Sequence, residues 1–197
     1  MTTITLTPRA EREQKTFRAL LNAMARPGSV GRLPQTDFGV WYASLLCIAE
    51  ALVDHEVTFA TSMHNSAELS DAILRQTGSR EASPAEADYV FCDTGSLLQA
   101  LSEAKDGPFE YPDENGTVVC LVQGIAGEPG RGTGLILSGP GIQDWLRVWV
   151  EGIPSDFAAA FEQRNSEPPM GLDLVLVAPD GSFTCLTRYT TLTQEVD

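Results

Sequence analysis

Phe17-Arg18-Ala19-Leu20-Leu21-Asn22-Ala23-Met24-Ala25-Arg26-Pro27-Gly28 reads as an amphipathic helix brought to an abrupt stop, and the rest of the chain is parsed outward from it. Phe17, Leu20, Leu21 and Met24 fall at i, i+3, i+4 and i+7, the spacing of one helix face, so all four are expected to be buried. Glu11, Glu13, Lys15 and Arg18 supply solvated positions. Pro27 removes a backbone donor and disfavours the α region at Arg26, while Gly28 admits the positive φ of a reversal.

Beyond this stop, 32–39 reads as a loop and 41–53 as a second, more deeply buried helix with Leu45, Ile48, Ala49 and Leu52 on one face. A strand over 57–61 is followed by a helix over 67–76, with Ser66 as N-cap and Gly78 past its end. A strand over 88–93 and a helix over 96–104 repeat the alternation, and β-α-β-α is the order of parallel crossover units. The stretch 105–116, with Gly, two Pro, several acids and two aromatics, reads as an exposed excursion. Strands are expected over 117–123, 134–138 and 146–150, a helix over 155–164 with Phe157 and Phe161 four apart, and strands over 173–178 and 183–186 around the Asp180-Gly181 hairpin signal. The fold class is α/β, one three-layer-like domain over 1–197 with a mixed sheet.

Composition narrows the function. A content of 43% hydrophobic residues in 197 suits one domain with a sizeable core. The balance of 27 acidic against 13 basic residues, net −14, repels nucleic acid and anionic membrane surfaces. The apolar runs are too short to span a membrane, and 2–14 has no signal-peptide apolar region, so a cytoplasmic location is expected. Cys47, Cys92, Cys120 and Cys185 are widely spaced in apolar contexts and are read as buried free thiols, with no metal site.

Motif by motif, autonomous catalysis finds little support. His55 and His64 stand in no metal-ligand spacing, and no G-x-S-x-G elbow occurs. Gly127 and Gly132 have phosphate-loop spacing, but Thr133 occupies the lysine position and a strand is expected to follow. Ser138-Gly139-Pro140-Gly141-Ile142 reads as a turn. Lys15 and Lys105 are the only lysines that a Schiff base would have to use, and both read as surface charges. Three polar residues remain as candidates for anion binding or assembly: Arg26 before the Pro-Gly stop, and Asp173 and Arg188 at strand ends across the hairpin, where they are placed to pair.

Three separated segments carry a family resemblance. Phe17 to Gly28 follows F-x-x-L-L-x-A-M-x-x-P-G, with Phe17, Met24, Pro27 and Gly28 as motif positions. Leu137 to Ile142 carries the glycine-rich turn with Gly139 and Gly141, and Pro168 to Leu176 carries P-x-G-x-D-L-x-L with Gly171. The sequence resembles the PhnH family, a core subunit of the carbon-phosphorus lyase system of bacterial phosphonate metabolism. Residues 186–190 depart from the family's L-P-R-T-T form, with Thr187 for proline and Tyr189 for threonine, but keep Arg188 and Thr190.

The resemblance implies a topology similar to pyridoxal-phosphate-dependent transferases without that cofactor, a homodimer, and association with the other core subunits. It further implies that the assembled complex joins an alkylphosphonate to the ribose C1 of ATP with release of adenine. Within that system an assembly role, with no catalytic residue and no cofactor of its own, fits the chain better than an autonomous nucleotide transferase. A transferase-like domain that keeps small-anion binding around Arg26, Asp173 and Arg188 is the alternative.

Overall fold

Thr7 opens the first helix: its hydroxyl accepts from the Ala10 amide at 3.2 Å, and Pro8 follows at a position whose amide would be unpaired anyway. This computed structural model describes residues 7–36 and 38–195. Helix α1 (Pro8–Met24) ends as expected in a turn containing Pro27 and Gly28, and β1 (Gly31–Arg32) follows. The elements α2 (Ala43–Leu52), β2 (Thr58–Ser62), α3 (Ala67–Thr77), β3 (Arg80–Glu81), β4 (Tyr89–Asp93), α4 (Leu97–Glu103) and β5 (Thr117–Leu121) come next. The chain continues through β6 (Gly124–Ala126), β7 (Thr133–Ser138), β8 (Leu146–Glu151), α5 (Phe157–Arg164), β9 (Asp173–Val177), β10 (Ser182–Leu186) and β11 (Thr191–Gln194).

Two sheets result. The larger has the order β1-β10-β9-β5-β4-β2-β3, in which β2, β4, β5 and β9 run parallel, and β10 and β1 add an antiparallel edge. Its central strands are covered on both faces, which is why they read as continuous apolar runs rather than alternating ones. Phe59, Phe91, Val119, Val175, Val177 and Phe183 meet α1, α2 and α3 on one face. Val90, Cys92, Val118, Cys120, Leu174 and Leu176 meet α4, α5 and the second sheet on the other. That second sheet, β11-β7-β8-β6, is antiparallel and contributes Leu135, Leu137, Val148 and Val150 to the same core. The molecule is therefore α/β with mixed pairing, as its sequence implies. Among the described residues no helix is long and apolar enough to cross a membrane.

The expected stripe on α1 needs correction. Leu20 is buried and Met24 half-buried, but Phe17 and Leu21 are 50% and 58% exposed. The face that docks is Thr16, Leu20 and Ala23, also at i, i+4 and i+7 but rotated around the helix. Small residues there admit close packing: the Thr16 hydroxyl lies 3.3 Å from the Cys47 thiol of α2. Arg12 on the flank donates to Glu50, whose buried carboxylate it neutralises at 2.8 Å. Hydrophobic spacing alone cannot rank two overlapping stripes that share Leu20 when the rest of the seated one, Thr16 and Ala23, is small.

Other differences are smaller. Ser66 is itself in the α region and makes no capping bond, and β1, β3, β6 and β11, of two to four residues each, are additions to the expected elements. All four cysteines are buried free thiols, as their contexts predict.

Candidate functional site

Pro27, Gly28, Gly139 and Gly141 meet at one junction of the molecule, where the turn after α1, the β7–β8 turn and the segment after β10 pack together. The Gly28 amide donates to the Cys185 carbonyl at 2.9 Å, fixing the α1 stop against β10. A side chain at Gly28 would collide with Leu137 and Leu146 at the ends of β7 and β8. Between those strands, Gly141 has φ +85 and a Cβ there would sit 2.7 Å from the Ala25 carbonyl and 2.9 Å from Pro27. Gly139, at φ +128, would place its Cβ 2.6 Å from the Tyr189 carbonyl. Both positions need glycine for conformation and for close backbone approach.

From Tyr189 the junction continues to the carboxylate. Asp173 opens β9; its Oδ1 accepts from the Arg188 amide at 2.9 Å and its Oδ2 from Arg188 Nη2 at 2.9 Å. The other guanidinium arm, Nη1, donates to the Pro112 carbonyl and so ties down the short 3-10 turn Pro112–Glu114 within the exposed excursion. The Arg188 side chain is only 13% exposed. Thr187 and Thr190 close the turn around it, the Thr187 amide donating to Thr190 Oγ1 at 3.1 Å. Gly171 lies against both Asn165 and the Arg188 stem, and Asn165 Oδ1 accepts from the Leu172 amide at 2.8 Å.

Asp173 and Arg188 thus form the pair their positions suggest. Arg26 does not join them: it is exposed on the α1 turn, and its side chain makes no ion pair among the described residues. Asn165, Pro112 and Thr190 are the partners that sequence reading missed. A carbonyl acceptor leaves no trace in residue type, and Asn165 sits in an unremarkable helix end.

Burial suppresses ionisation of the interior thiols Cys185 and Cys120. Burial, reinforced by the nearby Asp173 charge, pushes the Cys185 thiol up to about 12, so it stays protonated. Burial likewise pushes the Cys120 thiol up, with Cys92 beside it in register on the neighbouring strand adding to the effect. Among the described residues no three His, Cys, Asp or Glu side chains gather as a metal-ligand set. The segment 127–132 is an exposed connection between β6 and β7, with a strand rather than a helix after it.

Cavities lie elsewhere. One of about 410 Å³ lies between α4 and α5 and includes Ser102, Asp106, Gln163, Arg164 and Glu167. Its arginine is committed to Asp106 and to the Ala104 carbonyl, the latter at 2.8 Å.

The chain is similar to the putative C-P lyase subunit protein HtxG of Stutzerimonas stutzeri, 35% identical over 169 residues that cover 86% of this chain and 80% of that protein. It is also similar to the alpha-D-ribose 1-methylphosphonate 5-triphosphate synthase subunit PhnH of Rhizobium meliloti (strain 1021), 29% identical over 189 residues, 92% of this chain and 90% of that one. Residues 5–193 match the family described as bacterial phosphonate metabolism protein (PhnH), and the chain belongs to that family.

Proposed function

We propose that this chain is a non-catalytic subunit of a carbon-phosphorus lyase core complex, needed for transfer of an alkylphosphonate to the ribose C1 of ATP with release of adenine. The observation that carries the reading is the Asp173–Arg188 clasp. The Arg188 guanidinium, which an anion would need, is held instead by Asp173 and the Pro112 carbonyl, while the motif glycines around it serve close packing. The rival reading, a small-anion or nucleotide site on Arg26, Asp173 and Arg188, requires the two guanidinium groups to converge on an anion, whereas Arg188 is engaged on both arms and Arg26 stands apart on the α1 turn.

The same proposal includes a homodimer, a cytoplasmic location, and a topology like that of the pyridoxal-phosphate-dependent transferases without the cofactor. Lys15 pairs with Glu11 at 2.7 Å and Lys105 with Asp88 at 2.9 Å, which favours structural roles over a Schiff base for both.

The test is adenine release from ATP and an alkylphosphonate by the chain alone, by the partner subunits alone and by the reconstituted mixture under matched salt and metal. Turnover is expected only in the mixture. Robust turnover by the chain alone would overturn the non-catalytic role, and full turnover by the partners without it would show that it is dispensable.

A further inference from the structure

The outer face of α1 combines exposed apolar side chains with uncompensated positive charge. Phe17, Leu21 and Met24 form one wall of an apolar groove of about 160 Å³, and Tyr89, Thr117 and Val175, from the adjoining ends of β4 and β5 and from β9, contribute to the rest. Exposed apolar surface in a continuous strip marks a contact site more often than an accident of composition.

The segment that carries this face differs in charge from the whole molecule. The chain has 27 acidic and 13 basic residues, yet 16–36 contains Arg18, Arg26 and Arg32 and no acidic residue. Earlier on the helix, Arg9, Arg12 and Lys15 are paired with Glu13, Glu50 and Glu11. Arg18 and Arg26, both exposed, have no ion-pair partner among the described residues. An aromatic, a methionine and arginines without an ion-pair partner are the side-chain types enriched at protein interfaces.

We propose that the outer face of α1 and the turn after it, from Phe17 to Arg26, dock an acidic partner subunit. That partner presents an apolar side chain to the groove and carboxylates to Arg18 and Arg26. The inference rests on the assembly reading above. A second copy of this chain fits less well, because a two-fold contact is isologous and would set α1 against α1. The carboxylates of α1, Glu11 and Glu13, are already paired with Lys15 and Arg9, so the facing arginines would lack a free partner on the helix. An acidic partner answers both the apolar and the charged requirement, and brings the field complementarity that speeds association.

The experiment measures association of the full chain with its purified partner subunits at low and high salt, for wild type and for Leu21→Asp, Arg18→Glu and Phe17→Ala. All three positions are exposed, so circular dichroism and the melting temperature should stay at wild-type values and confirm an intact fold. Each variant should bind the partners about tenfold or more weakly, Arg18→Glu should lose most of the salt sensitivity, and self-association of the isolated chain should be unchanged. Unaltered partner binding by all three variants overturns the inference while leaving the assembly reading in place, as does loss of self-association instead. Failure of the wild-type chain to bind any partner subunit refutes the assembly reading itself.

Discussion

Replacing Arg188 with alanine removes both guanidinium contacts, to Asp173 at 2.9 Å and to the Pro112 carbonyl. Hydrogen bonds involving a charged group contribute about 1.5–3 kcal/mol each, so the gross loss is roughly 3–6 kcal/mol. Two features reduce it. Asp173 keeps its bond from the residue 188 amide, and its side chain is 24% exposed, so water can solvate the freed oxygen. The net cost is then about 2–3 kcal/mol, which for a chain of this length lowers the melting temperature by roughly 5–10 °C. Urea unfolding monitored by far-UV circular dichroism gives the free energy, with Arg188→Lys as the intermediate case that keeps charge but one contact at most. An Arg188→Ala protein of wild-type stability that assembles normally but supports no turnover in the reconstituted complex would refute the structural reasoning and favour a catalytic arginine.

Gly141→Ala must accept a positive φ and a Cβ 2.7 Å from the Ala25 carbonyl, so it should lose about 2–4 kcal/mol in the same unfolding experiment; Pro140→Ala in the same turn is the control. Burial of Asp88 opposes ionisation, but its bonds from Lys105 and Thr58 together outweigh burial and hold the carboxyl below its ordinary range. The stability it contributes is present above the ordinary carboxylate value and is lost as pH falls through the lowered one, so Asp88→Asn should flatten the acid limb of a melting-temperature profile. All four cysteines should resist iodoacetamide in the native protein at mildly alkaline pH, Cys185 being held near 12, and all four should react once the chain is denatured without reductant. Recovery of fewer than four thiols from the denatured protein would contradict the free-thiol assignment.

Much of the fold was legible because the signals were local. The strands at 89–93, 117–121 and 173–177 carry apolar runs, Asp180-Gly181 marks the hairpin, and Pro27-Gly28 marks the stop. The Asp173–Arg188 pair was legible for the same reason, since a hairpin brings the outer ends of its two strands together. What escaped depends on contacts between distant segments. Nothing near Gly141 announces that Ala25 and Pro27 will pack against it, and two- to four-residue strands such as β1 and β11 take their identity from partners far along the chain. The seating of α1 escaped for a further reason: Thr16 and Ala23 bury little apolar area, yet their smallness lets the helix approach α2.

The bond from the Gly28 amide to the Cys185 carbonyl joins an early stretch of the chain to a late one. During synthesis the α1 helix and its turn therefore wait without their β10 partner until almost all the intervening polypeptide has emerged, and β1 waits for the same strand. Closing so long a loop costs little more free energy than closing one of half the length, but it is slow, because the closure must precede the contacts that reward it. Helix α1 can meet α2 early, through Thr16–Cys47 and Arg12–Glu50, whereas its Pro27-Gly28 turn and β1 gain their partner only when β10 arrives, so the turn that carries Arg26 is the part held longest in reach of other molecules.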